Sequence, residues 1–250
     1  MNTITRKQKR AFTLVELLVV ITIIAILTSL SLVVIAKVRE DGRKKEAQRE
    51  IHALLNAIIE YHSDTGAFPV SGAVMTTATS NHGDFTHGGA SLDAVFGASG
   101  NWSMNNSEVI AILMDREKYG NGTPTVNFGH VKNTRKKLYL SDVDMVASAD
   151  MPGLGPDLVF RDPWGNPYII SFDLNYDEKC ADALYAKSVV SRETGGSGYN
   201  GLVNSSDATG ASDAFEYSGG VMIWSLGPNK KASAQAANMA PNRDNILSWK

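Results

Sequence analysis

FTLVELLVVITIIAILTSLSLVVIA, residues 12–36, decides the architecture of this chain, because Glu16 is the single ionisable residue in an otherwise apolar run. A helix built from residues 17–36 at about 1.5 Å per residue reaches roughly 30 Å, which is the thickness of a bilayer's hydrocarbon core. The stretch therefore predicts one helix over residues 12–36 that crosses a membrane once.

The flanks of this run predict its orientation. The leader, residues 1–11, reads MNTITRKQKRA and contains basic residues but no acid. A short cationic flank ahead of a first span tends to stay in the cytoplasm. The far flank, residues 37–50, mixes both signs and carries less weight. We therefore expect a cytoplasmic N-terminus and a C-terminal domain on the other side of the membrane.

Glu16 needs an explanation, because a carboxylate inside an apolar span is costly near the bilayer centre and less costly near an interface. One explanation is local: in the first helical turns a carboxylate suits the helix dipole and can reach water. A plain membrane anchor would fit this explanation. So would a conventional secretory signal cleaved near residues 29–31, although such signals have a shorter apolar core.

A second explanation comes from the residues around Glu16. AFTLVE, residues 11–16, follows a basic leader and precedes an unbroken apolar run, and it resembles the type IV prepilin signal. The resemblance implies cleavage by prepilin peptidase between Ala11 and Phe12, N-methylation of Phe12, and pairing of Glu16 with the N-terminal amine of a neighbouring subunit. Opposite charges attract strongly in a low dielectric, which agrees with that pairing. Family members usually carry Gly before the cut, so Ala11 predicts slower processing.

Residues 37–63 predict an amphipathic continuation of the same helix, because apolar residues recur there at three- and four-residue steps. The predicted helix runs from about residue 13 to 63, with Gly42 as its weak point. DTGAFP, residues 64–69, predicts its end. Pilin-like helices commonly carry a proline where Val33 stands, so we expect no proline kink there.

Two further stretches resemble the major pseudopilins of type II secretion. EIHALLNAIIEYHSDTGAFP, residues 50–69, is similar to the end of their long helix, and DPWGNPY, residues 162–168, to the turn that opens their small sheet. The aromatic and β-branched residues that follow predict a strand over 169–172, and residues 220–225 predict another. The resemblance implies an α+β fold in which the long N-terminal helix packs on a small antiparallel β-sheet.

The globular domain is predicted over residues 64–250, with a variable insertion at about 70–157 that sets the chain apart from its relatives. Small and polar residues over 70–100 predict a loop with little regular structure. SEVIAILMDREK, residues 107–118, predicts a short helix. Residues 191–214 are rich in Gly, Ser and Asn and predict a mobile loop.

The C-terminal segment resembles the part of the major pseudopilins that binds a calcium ion through two turns. Carried over, the ligands are the Leu226 carbonyl and the side chains of Asn229, Asp244 and Asn245. Two carboxylates of the family pattern are amides here, and calcium affinity falls with ligand charge. An asparagine-based hydrogen-bonded clasp is the alternative.

A second candidate calcium site lies at Asp173, Asn175 and Asp177, whose oxygens occupy the first, third and fifth positions of an EF-hand-like loop. The sixth position lacks the expected Gly, so a plain acidic turn is the alternative. His82 and His87 flank Asp84, but their spacing matches no established zinc pattern, and we interpret them as loop residues.

Composition narrows the class of function. A net charge of −2 gives no indication of a nucleic acid partner. Cys180 is the single cysteine, so no disulfide can form within the chain. The sequence has neither G-x-S-x-G nor H-E-x-x-H, and we predict that the chain is not an enzyme and needs no cofactor except, as one alternative, calcium.

The leading hypothesis is a pseudopilin: a single-pass protein of the bacterial inner membrane, with a periplasmic domain, that polymerises into a periplasmic filament driving type II protein secretion. Its expected partners are copies of itself, minor pseudopilins, prepilin peptidase, an inner-membrane assembly platform and membrane lipid. A type IV pilus subunit for adhesion, motility or DNA uptake is the alternative. A membrane-anchored periplasmic enzyme is a remote one.

Overall fold

The computed structural model describes residues 12–80, 83–89, 92, 101–196, 198–206 and 209–250. Its helices are α1 (Leu14–Thr65), α2 (Gly72–Ser80), α3 (Ser107–Leu113) and α4 (Ser188–Ser191), with 3-10 turns at Phe128–His130 and Asn242–Asp244. Its strands are β1 (Asp84–His87), β2 (Trp102–Ser103), β3 (Gly153–Leu154), β4 (Phe160–Arg161), β5 (Ile169–Asp173), β6 (Lys179–Cys180), β7 (Val203–Asn204), β8 (Phe215–Ser218), β9 (Val221–Ser225) and β10 (Ile246–Leu247). The chain divides into two compact units, one ending at Gly42 and one beginning at Arg43.

The first unit contains the apolar half of α1. Its described apolar side chains between Phe12 and Leu27 are all exposed, from 44% at Val20 to 79% at Leu14. Within the described part of the chain, α1 is the one helix long and apolar enough to cross a membrane, with a mean hydropathy of 3.0 over its most apolar window. The helix is uninterrupted at Val33, as the absence of a proline predicts.

A five-stranded sheet forms the centre of the second unit, in the order β10-β9-β5-β1-β2. All neighbouring strands are antiparallel except β1 and β2, which are parallel. The predicted strands over 169–172 and 220–225 are β5 and β9, paired through Ile170 with Ile223 and Phe172 with Val221. The predicted α+β fold, a long helix with a small antiparallel sheet, is confirmed.

One face of this sheet belongs to the first core, which also contains the apolar stripe of α1. Alternate residues of a strand point to the same face, so Ile170 and Phe172 share this face with Ile223. They belong to one buried cluster with Leu54 and Ile58 of α1. Three- and four-residue spacing places that stripe on one side of the helix.

The other face of the sheet belongs to the second core, which residues 179–226 supply in large part. Ile169 and Trp224 belong to a buried cluster with Leu184, Tyr185 and Phe215. A small sheet in the order β6-β8-β7 lies within this segment. The central sheet therefore has a hydrophobic core on each face.

Three local predictions need correction. In the described part of residues 70–100 the prediction of a loop with little regular structure is wrong, because α2 and β1 lie there and β1 is an inner strand of the central sheet, while residues 93–100 lie outside the described residues. The helix predicted over 107–118 ends at Leu113, shortly before Asp115 takes a positive φ of 51°. Residues 191–214 contain β7 and the buried Leu202, so the mobile-loop prediction is wrong for that part.

Candidate functional site

The start of α1 is a capping box formed by Thr13 and Glu16. The Thr13 backbone N–H donates to Glu16 Oε2 at 2.9 Å, and the Thr13 hydroxyl donates to the same oxygen at 2.7 Å. In return the Glu16 N–H donates to Thr13 Oγ1 at 3.2 Å. This reciprocal arrangement satisfies backbone donors that the first helical turn leaves free. It holds the Glu16 carboxylate beside the Phe12–Thr13 peptide.

Sequence reasoning identified Glu16 but missed the role of Thr13, although the T-x-x-E spacing of a capping box was legible. Phe12 is described and 72% exposed. Ala11, the other residue of the predicted cleavage site, lies outside the described residues. The arrangement places one carboxylate at the positive end of a helix dipole, where an anion is stabilised.

Two threonine hydroxyl groups within the apolar half of α1 are satisfied by the helix itself. Thr22 Oγ1 donates to the Leu18 carbonyl and Thr28 Oγ1 to the Ile24 carbonyl, both at 2.7 Å. An unpaired polar group is costly in hydrocarbon, and these bonds remove that cost for both threonines. Their hydroxyls are therefore compatible with a helix that lies in lipid.

The C-terminal candidate site brings Asn229 and Asp244 together. Asn229 Nδ2 donates to Asp244 Oδ2 at 3.0 Å and to the Pro241 carbonyl at 2.7 Å, while its Oδ1 accepts from the Lys231 N–H at 2.8 Å. Asn245 points elsewhere, since its Nδ2 donates to the Tyr185 hydroxyl at 2.8 Å. These contacts have the chemistry of the predicted clasp, and calcium binding here stays a prediction.

Two residues that sequence reasoning missed shape this clasp. Gly227, beside the buried Leu226, has a φ of +66°, and a Cβ there would clash with the Asp244 carbonyl oxygen. Asn242 is buried and donates to the carbonyls of Ser233 and Gln235 at 2.9 and 2.6 Å. A glycine is therefore required at the turn, and a buried amide fastens the last loop.

The second candidate calcium site is a turn at the end of β5. Asp173 accepts backbone N–H bonds from Tyr176 at 2.7 Å and Glu178 at 2.9 Å, and Asn175 Oδ1 accepts one from Asp177 at 3.0 Å. Burial raises the pKa of Asp173 above its usual range. The side-chain oxygens thus serve the turn's own backbone, as in the acidic-turn alternative, and a calcium role stays a prediction.

The histidine group is not assembled into a site in the described residues. His82 lies outside them, whereas Asp84 and His87 lie on β1. Positions three apart on a strand face opposite ways. Burial lowers the pKa of His87 to about 3. In the described part of the chain, no group of three or more His, Cys, Asp or Glu side chains is arranged to hold a metal ion.

The DPWGNPY turn is organised by Asp162, a role that sequence reasoning did not assign. Asp162 is fully buried and accepts from the N–H groups of Trp164 and Asn166 at 3.0 and 2.8 Å and from Ser225 Oγ at 2.6 Å. Burial raises its pKa. The turn is thereby tied to β9, and Trp164 lies in the first core.

Tyr168, the last residue of this turn, contacts α1. Its hydroxyl donates to Glu50 Oε2 at 2.5 Å, and both side chains are buried. Burial raises the pKa of Glu50 from its ordinary value of 4.5 to about 7. The helix and the turn that opens the sheet are therefore joined by a buried hydrogen bond whose acceptor titrates near neutral pH.

The second core has its own polar centre at Asp182, which sequence reasoning also missed. Its carboxylate accepts four hydrogen bonds, from Ser171 Oγ at 2.7 Å, Trp224 Nε1 at 2.9 Å, and the N–H groups of Leu184 at 2.9 Å and Tyr185 at 3.0 Å. A buried carboxylate is tolerated when it is hydrogen-bonded in this way. Asp182 thus joins β5 and β9 to the segment that packs on them.

Comparison with known proteins identifies one family model, the prokaryotic N-terminal methylation motif, which matches residues 6–32. The match includes the predicted cleavage site and the capping box of Glu16. No curated protein and no solved structure matches the chain. The chain therefore carries a prepilin-type N-terminal signal, consistent with a type IV pilin-like protein, and the motif suggests a structural subunit.

Proposed function

We propose that the chain is a pseudopilin subunit. Prepilin peptidase would cut between Ala11 and Phe12, Phe12 would be N-methylated, and the mature subunits would polymerise into a periplasmic filament that drives type II secretion. The observation that carries this proposal is the methylation motif over residues 6–32, which includes the start of an apolar helix with exposed side chains. Such a surface must be buried by lipid or by other subunits.

Glu16 has a defined role in this proposal. Cleavage before Phe12 creates an ammonium group, and the Glu16 carboxylate of a neighbouring subunit is its electrostatic partner. Thr13 orients that carboxylate with two hydrogen bonds before any neighbour arrives. In a low dielectric the paired charges attract strongly and an unpaired one is penalised, so the pair favours assembly in register.

The location follows from the leader and the helix. The basic leader remains in the cytoplasm, α1 crosses the inner membrane once, and residues from about 64 onward form the periplasmic domain. After assembly, the apolar halves of α1 would form the filament interior. The prepilin peptidase, an assembly platform and minor pseudopilins are the partners that this route requires.

Two features favour the secretion branch over a pilus. The DPWGNPY turn, organised by Asp162, resembles that of the major pseudopilins. The C-terminal segment also resembles theirs, with two amides in place of carboxylates, and brings Asn229 into a hydrogen bond with Asp244. Disrupting the gene should therefore reduce the folded proteins released into the medium. Loss of surface pili with normal release would favour the pilus alternative.

The assembly role is tested by Glu16→Val in the full chain. We expect normal membrane insertion and a loss of filaments, because the N-terminal amine then has no partner. Glu46→Val is the matched control, since Glu46 is an exposed glutamate on the same helix. Filament yield and membrane content are measured in the same cells. A normal filament yield from Glu16→Val would contradict the proposal.

A further inference from the structure

The second unit has an apolar groove about 640 Å³ in volume, formed where α1 approaches its end. Its lining includes Leu55, Ile59, His62, Phe68, Tyr176 and Val221. Ile59 is 54% exposed and Tyr176 is 47% exposed, so the groove presents apolar and aromatic surface to solvent. A concave surface of this kind suits an apolar side chain from a partner.

Aromatic stacking and close packing keep the groove in shape. The ring centroids of His62 and Phe68 are 4.5 Å apart, and those of Phe68 and Tyr176 are 5.7 Å apart. A Cβ on Gly220 would lie 2.9 Å from Phe68 Cζ, so glycine lets the strand approach the ring. The groove is therefore formed before any partner binds, which lowers the cost of binding.

The exposed acid at the groove is Glu178, whereas Asp173, which also lines it, is buried. Among the described residues that line the groove, none is Lys or Arg. An acidic border favours a partner whose apolar residues are flanked by cations, because opposite charges steer association and select orientation.

Another part of the same unit is complementary to the groove in shape-filling apolar side chains and in charge. We call residues 128–136, FGHVKNTRK, the tip. Phe128 is 50% exposed and Val131 is 64% exposed. The tip contains Lys132, Arg135 and Lys136 and no acid, and Arg135 Nη1 is paired with Asp64 Oδ1 of α1 at 3.4 Å. It therefore combines exposed apolar side chains with positive charge.

Buried asparagines hold the tip in place. Asn127 Oδ1 accepts from the Asn133 N–H at 2.9 Å, and Asn127 Nδ2 donates to Asp115 Oδ1 at 2.9 Å. Asn133 Nδ2 in turn donates to the Ile112 carbonyl at 3.0 Å. Both asparagines are buried. The exposed residues are thus presented from a fixed scaffold.

The groove and the tip lie on different sides of α1. The tip side is marked by two contacts: the Tyr61 hydroxyl donates to the Lys132 carbonyl at 2.8 Å, and Asp64 Oδ2 accepts from Lys137 Nζ at 3.0 Å. Successive helical residues turn by about 100°, so Tyr61 and Asp64 lie roughly opposite Ile59. One subunit can therefore use both surfaces at once.

We propose that the tip of one subunit docks into the groove of the next copy of this chain. Phe128 and Val131 would cover the aromatic lining, and the cations of the tip would face Glu178. A contact between two different surfaces of identical subunits is head-to-tail, and such contacts propagate into open helical filaments. This inference rests on the proposed function and adds the domain contact that accompanies packing of the apolar helices.

The test uses two full-length chains with different tags, expressed together with the assembly machinery. One carries Ile59→Cys and the other Val131→Cys, and a short bifunctional maleimide is added to intact cells. Docking raises the effective concentration of the two thiols, so we expect about tenfold more two-tag dimer than from the control pair. The control replaces Val131→Cys by Val189→Cys, at a similarly exposed valine (53%) outside the tip. Native Cys180 is buried.

Charge reversal provides a second readout in the same assay. Glu178→Lys and Lys132→Glu should each lower the crosslinking yield about fivefold, and the two together should restore it. If wild-type filaments form but the Ile59–Val131 pair crosslinks no better than the control, the docking inference is wrong and the filament proposal stands. Crosslinking of the Ile59→Cys chain to an unrelated protein instead would also contradict the docking inference and leave the filament proposal standing. If wild-type chains form no homopolymer, the docking inference and the filament proposal are both wrong.

Discussion

The two halves of α1 belong to one continuous helix, but their apolar side chains differ in exposure. In the half before Gly42, Leu18 is 54% exposed, whereas in the half after it Leu54 is 0% exposed. Residues 17–36 of the first half are uncharged and mainly apolar on every side, and the second half is apolar along one stripe. A helix that is apolar on every side needs surroundings that a single sheet cannot supply, while a stripe needs only one face. The sequence of the first half therefore requires apolar surroundings outside the domain, whereas the sequence of the second half determines how the helix packs on the sheet.

This difference separates two kinds of mutational effect. Changes in the stripe should destabilise the globular domain and leave the apolar half of α1 unaltered. Changes in the apolar half should alter anchoring or assembly and leave the domain stable. The predictions below test that separation.

The largest effect is expected from a matched pair of leucine truncations. Leu54→Ala leaves a cavity in the first core and should lower the free energy of unfolding of the domain by about 3 kcal/mol. Leu18→Ala should change it by less than about 0.5 kcal/mol, because Leu18 has no part in the domain core. Urea unfolding of the full chain in detergent, followed by tryptophan fluorescence, measures both. Equal losses from the two variants would contradict the separation.

A smaller effect is expected from Glu50, the buried carboxyl on the second half. Its pKa of about 7 lies above the ordinary 4.5, so between these values the unfolded chain holds fewer protons than the folded one. Stability should therefore fall as pH rises from about 4.5 to about 7, by about 2 kcal/mol after allowance for solvent screening.

Glu50→Gln should reduce that pH dependence, and Glu46→Gln, at an exposed position, should not. Burial also raises the pKa of Asp84, from its ordinary 3.8 to about 7, so the part of the slope that Asp84 contributes should remain in the Glu50 variant. Urea midpoints measured from pH 4 to pH 8 would show this. A slope unchanged by Glu50→Gln would mean that another group carries the titration.

The smallest effect is expected at the C-terminal clasp. Asn229→Ala removes hydrogen bonds to Asp244 and Pro241 and should cost about 1 kcal/mol. Because those contacts already satisfy the Asn229 amide, we expect a chelator to leave the melting temperature of the full chain unchanged. A fall in the melting temperature on adding chelator, reversed by excess calcium, would contradict this expectation and favour the calcium site.

The sequence-based predictions succeeded where the signal was local. The apolar run, the stripe through Leu54 and Ile58, and the turn before β5 are each legible within a few residues, because helical periodicity and turn chemistry are short-range. The capping box of Thr13 and Glu16 was equally local and was overlooked. Its T-x-x-E spacing is a sufficient signal.

The predictions failed where structure depends on distant partners. The segment that contains β1 reads as a loop because Thr86 and His87 are polar, yet both are buried. Thr86 is satisfied by Ser171, at 2.8 Å, in the neighbouring strand. The second core was missed for the same reason, since Asp182 is intelligible only with its donors from β5 and β9. Composition cannot report such long-range pairing.

The most direct test of the central claim is the mass of the N-terminal peptide of the mature protein. Full-length chain is expressed in cells with prepilin peptidase, purified from membranes, digested and examined by mass spectrometry. The account predicts that the first residue is N-methylated Phe12 and that residues 1–11 are absent. A mature protein that still begins at Met1, or that is cleaved near residues 29–31, would contradict it.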